Sequence, residues 1–205
     1  MRRRPDWRVQ RMVALDFETT GLDPRKDEVI SFGAIPILGG RVQVGQSESA
    51  VIDPGRAPSV NSVKVHQLRP VDVAAGASTA DGMAMLASVM RDDPIVVWTA
   101  RVEAAFLAKS FGGSSRSWLK RIIDVRPIVI ALDERNGVSP SPARRDDLLT
   151  TAQRLGIPAE QGHDALADAF VTAQLLLVTA TRLETGRRLD LQSLLILGRR
   201  DPMVP

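Results

Sequence analysis

Asp16 and Glu18 stand two residues apart, directly behind the apolar run Val13-Ala14-Leu15. Side chains alternate along a strand, so both carboxylates fall on one face at the end of a buried strand. Acids in that position need partners or a cation, because burying an isolated charge is expensive. A hard divalent ion is one solution. A solvated turn is the other, and on spacing alone the commoner one, since Thr19, Thr20 and Gly21 follow directly. A second group lies in Gly162-His163-Asp164-Ala165-Leu166-Ala167-Asp168-Ala169. Asp164 reads as a helix N-cap, which puts His163 just outside the helix and Asp168 about one turn in. An imidazole and a carboxylate can then border one cavity. A surface histidine and an acid favoured by the helix dipole are the bland alternative. The alanines at 165, 167 and 169 predict close packing of this helix against a sheet.

These groups need a scaffold, and composition bounds it. The chain has 205 residues, 44% hydrophobic and 25% charged, which suits one compact domain with a short tail. The expected division is a domain over 8–184 and a tail over 185–205, read as an appended helix with Leu189, Leu191, Leu194, Leu195, Ile196 and Leu197. Net charge is +3, which permits a polyanionic partner without demanding one. There is no cysteine, so disulfides, thiolate-bound zinc and thiol nucleophiles are excluded. A metal held by carboxylates, histidine, carbonyls or water points to Mg²⁺ or Mn²⁺. The charged N-terminus has no apolar segment behind it, and no run reads as a bilayer span, so the expectation is a cytoplasmic protein without membrane contact. No P-loop, dinucleotide glycine fingerprint or G-x-S-x-G occurs.

Three strands are expected first: around Val13–Phe17, Val29–Leu38 and Arg41–Ile52, with Gly39-Gly40 closing a hairpin. A short helix including Val63 would be capped by Ser59, and a second, through Met83, Leu86, Val89 and Met90, by Ser78. Ile95–Trp98 reads as a strand, Val102–Lys109 as a helix and Ile122–Val125 as the last strand. A loop over Asn136–Pro142 precedes a helix over Asp146–Leu155. The longest helix runs over Asp164–Leu183, with Leu166, Ala169, Phe170, Ala173 and Leu177 on one side. A β meander followed by alternating helices and strands predicts an α/β domain with a mixed sheet.

The combination of DFETTGLDPRKDEVISFGA and GHDALADA resembles the DEDD superfamily of 3′→5′ exonucleases, whose first motif reads D-x-E-T-T-G-L and whose third reads H-x-A-x-x-D. The superfamily has a tyrosine branch and a histidine branch, the latter including DnaQ-like proofreading subunits and RNase T. The chain contains no tyrosine, so the histidine branch is the one it resembles. Val65-His66-Gln67-Leu68 is similar to the family's V-H-G-I segment, and Asp124 to its strand-end aspartate. The likeness covers roughly residues 11 to 180. One stretch departs. Where the family's second motif has a His-Asn pair, this chain has Trp98-Thr99, and the acid is Glu103 rather than aspartate.

The resemblance implies an RNase H-like fold, a central mixed five-stranded sheet flanked by helices. It implies two divalent cations, Mg²⁺ or Mn²⁺, with Asp16 bridging them. Glu18 and Asp168 would serve the ion that holds the attacking water, and Glu103 the ion facing the leaving 3′ oxygen. His163 would be the general base, and the products nucleoside 5′-monophosphates from a single-stranded or frayed 3′ end of DNA or RNA. Thr19, Thr20, Leu22 and His66 would meet the substrate. Trp98 could stack on a base, but a core tryptophan is the simpler reading. Arg101, Arg144 and Arg145 could meet phosphates, but a solvated face is the simpler reading. Two other functions compete: a nucleic-acid-binding module with a decayed site, for which the altered second motif speaks, and a subunit that docks on a polymerase or other protein through the leucine-rich tail.

Overall fold

A computed structural model of the chain describes residues 5–56, 63, 66–138, 147–159, 164–186 and 188–199. The first strand, β1 (Met12–Thr19), pairs antiparallel with β2 (Val29–Leu38), and β2 pairs antiparallel with β3 (Arg41–Val42) and β4 (Glu48–Asp53). The short β5 (Ala77–Ser78) runs parallel to β4. On the other side of β1, β6 (Ile95–Val97) and β7 (Ile122–Asp124) add in parallel. The order is β5-β4-β2-β1-β6-β7, with β3 beside β2. The sheet is mixed, as expected, but has seven strands rather than five. The expected single strand Arg41–Ile52 is two, separated by a 3-10 turn at Val44–Gln46.

The helices among the described residues are α1 (Pro70–Ala74), α2 (Thr79–Met90), α3 (Ala100–Phe111), α4 (Ser115–Trp118), α5 (Val125–Arg135), α6 (Leu148–Arg154), α7 (Ala165–Leu183) and α8 (Leu191–Leu197). Ser78 caps α2, its hydroxyl accepting the Asp81 N–H at 3.1 Å. The Ser59 cap, His163, Arg144, Arg145 and the loop beyond 138 lie outside the described residues.

Two cores sandwich the sheet. Met12, Ala14, Ile35 and Ile37 face one, closed by α5 and α7 through Ile128, Ala169, Ala173 and Leu176. Val13, Leu15, Phe17, Phe32 and Ala34 face the other, closed by α2 and α3 through Leu86, Ala104 and Leu107. The alternation along β1 and over residues 32–37 of β2 sends successive side chains to opposite cores, as strand geometry requires. The packed side of α7 differs from the expected one. Ala169 and Ala173 are buried, as are Val171, Leu175 and Leu176, whereas Phe170 is 36% exposed. By length and composition alone α7 is apolar enough to cross a membrane, which no run was expected to be. Its buried side chains instead form one of the two cores. The tail packs too: Leu194 of α8 is buried in the α7-side core, which Trp7 also joins.

Candidate active site

Asp16 and Glu18 continue the Met12–Ala14 face of β1, so they point toward α7. Asp164 caps α7, its carboxylate accepting the Ala167 N–H at 2.8 Å, and this places Asp168 in the first turn. The cross-strand neighbour of Asp16 is Gly33. A Cβ there would lie 2.3 Å from the Ala165 backbone, so α7 begins directly on the sheet where β2 carries no side chain. The result is a convergence of three acids. One carboxylate oxygen each from Asp16, Glu18 and Asp168 lies within 4.8 Å of the others.

The electrostatics of this cluster are strained. Desolvation pushes the Asp16 carboxyl well above its ordinary range, and Glu103, Asp168, Glu18 and Asp164, all acidic, push it further. Glu18 is pushed up to about 8, mainly by burial and then by Asp168 and Asp164. Like charges this close cannot all ionise without a counter-charge. An all-oxygen donor set suits hard cations such as Mg²⁺ and Mn²⁺, so the residues fit the metal that the sequence implies.

Glu103 also acts on Asp16. It lies in the first turn of α3, 4% exposed, and its Oε2 finds no hydrogen-bond partner among the described residues. Burial raises its carboxyl to about 8. Its own backbone N–H opposes the rise, Asp124 adds to it, and Arg126 opposes it. It stands outside the three-acid group yet acts more strongly on Asp16 than Asp168 or Glu18 does. Asp124 secures this arrangement, because its carboxylate accepts the N–H of Ala100 at the start of α3 and of Arg126 at the start of α5, both at 3.0 Å. Trp98 is half-buried and packs against the α7-side core, as a core tryptophan does.

The other expected contacts divide. Leu22 is 76% exposed on the loop after β1. Thr19 and Thr20 are committed to that loop: Thr19 donates to the Gly21 carbonyl at 2.7 Å, while Thr20 donates to Asp27 at 3.1 Å and accepts the Glu28 N–H at 3.1 Å. His66 is buried, and its Nδ1 accepts the Leu68 N–H at 3.0 Å. It borders a cavity of about 410 Å³ that also reaches Glu18, Ser31, Ser49, Gln67 and Leu166. Sequence reasoning missed Ser31, Ser49 and Gln67. The two serines carry no motif, although Ser31 is paired with Glu18 across the β1–β2 ladder.

The chain is similar to known proteins. The sequence matches the RNase T exonuclease family over residues 13–176. It is 31% identical over 168 residues to a PolC-type DNA polymerase III of Thermotoga maritima, covering 80% of this chain and 11% of that one. It is 26% identical to a DNA polymerase III subunit epsilon-like protein of Rhodobacter capsulatus, covering 80% of this chain and 23% of that one. Among solved structures, E. coli exonuclease I in its zinc-bound complex with single-stranded DNA superposes with a TM-score of 0.71 at 20% identity, covering 85% of this chain and 41% of that one. The chain therefore spans only a small part of these polymerase relatives and less than half of exonuclease I. Matched across most of its length, the chain belongs to the RNase T exonuclease family, whose DnaQ-like members are 3′→5′ exonucleases.

Proposed function

We propose that the protein is a metal-dependent 3′→5′ exonuclease that removes nucleoside 5′-monophosphates from single-stranded or frayed 3′ ends. The observation that carries this reading is the convergence of Asp16, Glu18 and Asp168 within 4.8 Å at the end of β1, beside an open cavity. Asp16 would be shared between two divalent cations, with Glu18 and Asp168 serving one and Glu103 the other. Bound there, such ions would make a nucleophile of water near neutral pH and neutralise charge at the phosphorus. His163 directly precedes the N-cap Asp164 in the sequence. Its imidazole would take the proton from the attacking water, a general-base role that histidine suits. Leu22 and His66 would border the terminal nucleotide, while Thr19 and Thr20 order the loop that presents Leu22. The polymerase relatives favour DNA as substrate and a polymerase as partner.

The buried Glu103 in place of a shorter acid favours one second reading, a slow or inactive binding module of the same fold. A 5′-labelled single-stranded oligonucleotide incubated with Mn²⁺, Mg²⁺ or EDTA separates the two. A ladder shortening from the 3′ end, absent in EDTA and in Asp16→Ala, is expected. Intact DNA and RNA with both metals would leave only the binding module.

A further inference from the structure

One wall of the cavity beside Glu18 carries a residue whose backbone its side chain disfavours. Gln67 has φ 59°, in the left-handed region where Cβ crowds the following carbonyl and glycine is the usual occupant. Its N–H closes onto the Val63 carbonyl at 2.8 Å. Among the described non-glycine residues only Arg91 shares a positive φ, and Arg91 ends α2 at the opposite end of the sheet from the carboxylates. Gln67 is solvent-facing, so packing does not account for its side chain. It lines the cavity with Glu18, Ser31, Ser49 and His66. The bond from Leu68 N–H to the buried His66 ring closes directly over Gln67, so the amide hangs from a fixed backbone. A strained residue on the wall of a cavity is a reason to ask what its side chain does there.

We propose that Gln67 is a substrate-contacting residue whose side-chain amide hydrogen-bonds the 3′-terminal nucleoside; this rests on the exonuclease reading above. The chemistry suits the place. An amide offers both a donor and an acceptor, which matches a nucleoside's base edges and sugar hydroxyls. It is neutral, so it adds no charge beside the acidic cluster. The cavity, about 410 Å³, is within the range that holds small ligands. Gln67 therefore trades backbone strain for a contact that glycine could not make.

The trade gives the test its sign. Gln67→Gly relieves the strain and deletes the amide, so stability and binding should move in opposite directions. The melting temperature is expected to rise by about 1–3 °C. The Kd of the full chain for a labelled single-stranded thymidine oligonucleotide, measured with Ca²⁺ in place of Mn²⁺, is expected to weaken about threefold to tenfold. Gln67→Asn, which tolerates the same backbone and keeps a shorter amide, should fall between. A glycine variant that binds as tightly as the wild type overturns the proposal, whatever its melting temperature. Wild-type protein that binds the oligonucleotide but never shortens it removes the exonuclease reading and leaves the Kd comparison to judge Gln67. Wild-type protein that does not bind overturns both.

Discussion

Glu18 in the folded protein holds its proton up to about pH 8, whereas in an unfolded chain it would lose it near the ordinary value of 4.5. The folded state thus binds more protons across that interval. A raised folded pKa contributes stability that is full below the unfolded value and lost as pH climbs through the folded one. Asp16 and Glu103 are shifted in the same direction. Metal-free protein in EDTA is therefore expected to melt at progressively lower temperature from about pH 5 to about pH 8. Mn²⁺ should restore stability, and by more at pH 8, because there it does not compete with protons. A melting temperature flat across that range, with and without Mn²⁺, would mean that the acids do not form one strained cluster. Glu103→Gln separates stability from function: it should raise the metal-free melting temperature at pH 8 yet lower Mn²⁺-supported cleavage about tenfold or more. Asp16, Glu18 and Asp168 were legible because paired motifs and a helix cap fix their faces. The loop bonds of Thr19 and Thr20 were not, since motif spacing does not reveal that their hydroxyls bond Gly21, Asp27 and Glu28.

At the scale of elements, the site is a docking problem between α7 and the β1–β2 pair, and Gly33 sets the separation. Adding a methyl there forces it against the Ala165 and Leu166 backbone, which cannot swing aside as a side chain could. Gly33→Ala is expected to cost about 2 kcal/mol or more. The helix can accommodate it only by lifting Asp168 away from Asp16 and Glu18, so Mn²⁺ affinity, read by calorimetry, should drop as well. Gly45→Ala meets nothing within 4 Å and should be silent in both measurements. Unchanged Mn²⁺ affinity in a folded Gly33→Ala protein would show that the separation is set elsewhere. Apolar periodicity revealed the long elements β1, β2, α2 and α7. It could not reveal β3 and β5, whose two residues each carry no period. It also ran β3 and β4 together, because the intervening turn holds Val44, an apolar residue that is 60% exposed. The buried side of α7 was misjudged for a related reason. Its Thr172 and Thr179 lie inside with the alanines, so polarity did not mark the outer face.

Across the whole molecule, the segments around Trp7 and Leu189 meet at the far end of α7, about 24 Å along the helix from Asp168 by the helical rise. Glu184 joins them. It accepts from the indole of the buried Trp7 at 3.3 Å, from Arg8 at 3.0 and 2.8 Å, and from the Leu189 N–H at 3.0 Å. Arg8 also stacks on Trp7, 4.5 Å from the ring centre. Hydrogen bonding by Arg8 holds the Glu184 carboxyl below its usual range, so this contribution is present above the unfolded value and fades as pH falls below it. Arg8 is partly solvated, which screens the ion pair, so most of the loss in Glu184→Ala should come from the orphaned indole and amide, about 1–2 kcal/mol. The melting temperature should fall by a few degrees at pH 7, and the gap to wild type should narrow below about pH 4. The cleavage rate should not change, because the lesion is remote from the carboxylates. Deleting residues 185–205 should cost more than Glu184→Ala, since it also uncovers the core surface filled by Leu194. That comparison decides what the leucine-rich tail is for. A deletion that melts like the wild type would free the tail to serve a partner. A deletion that melts well below the point variant makes it part of the fold, and any polymerase contact must then use another face.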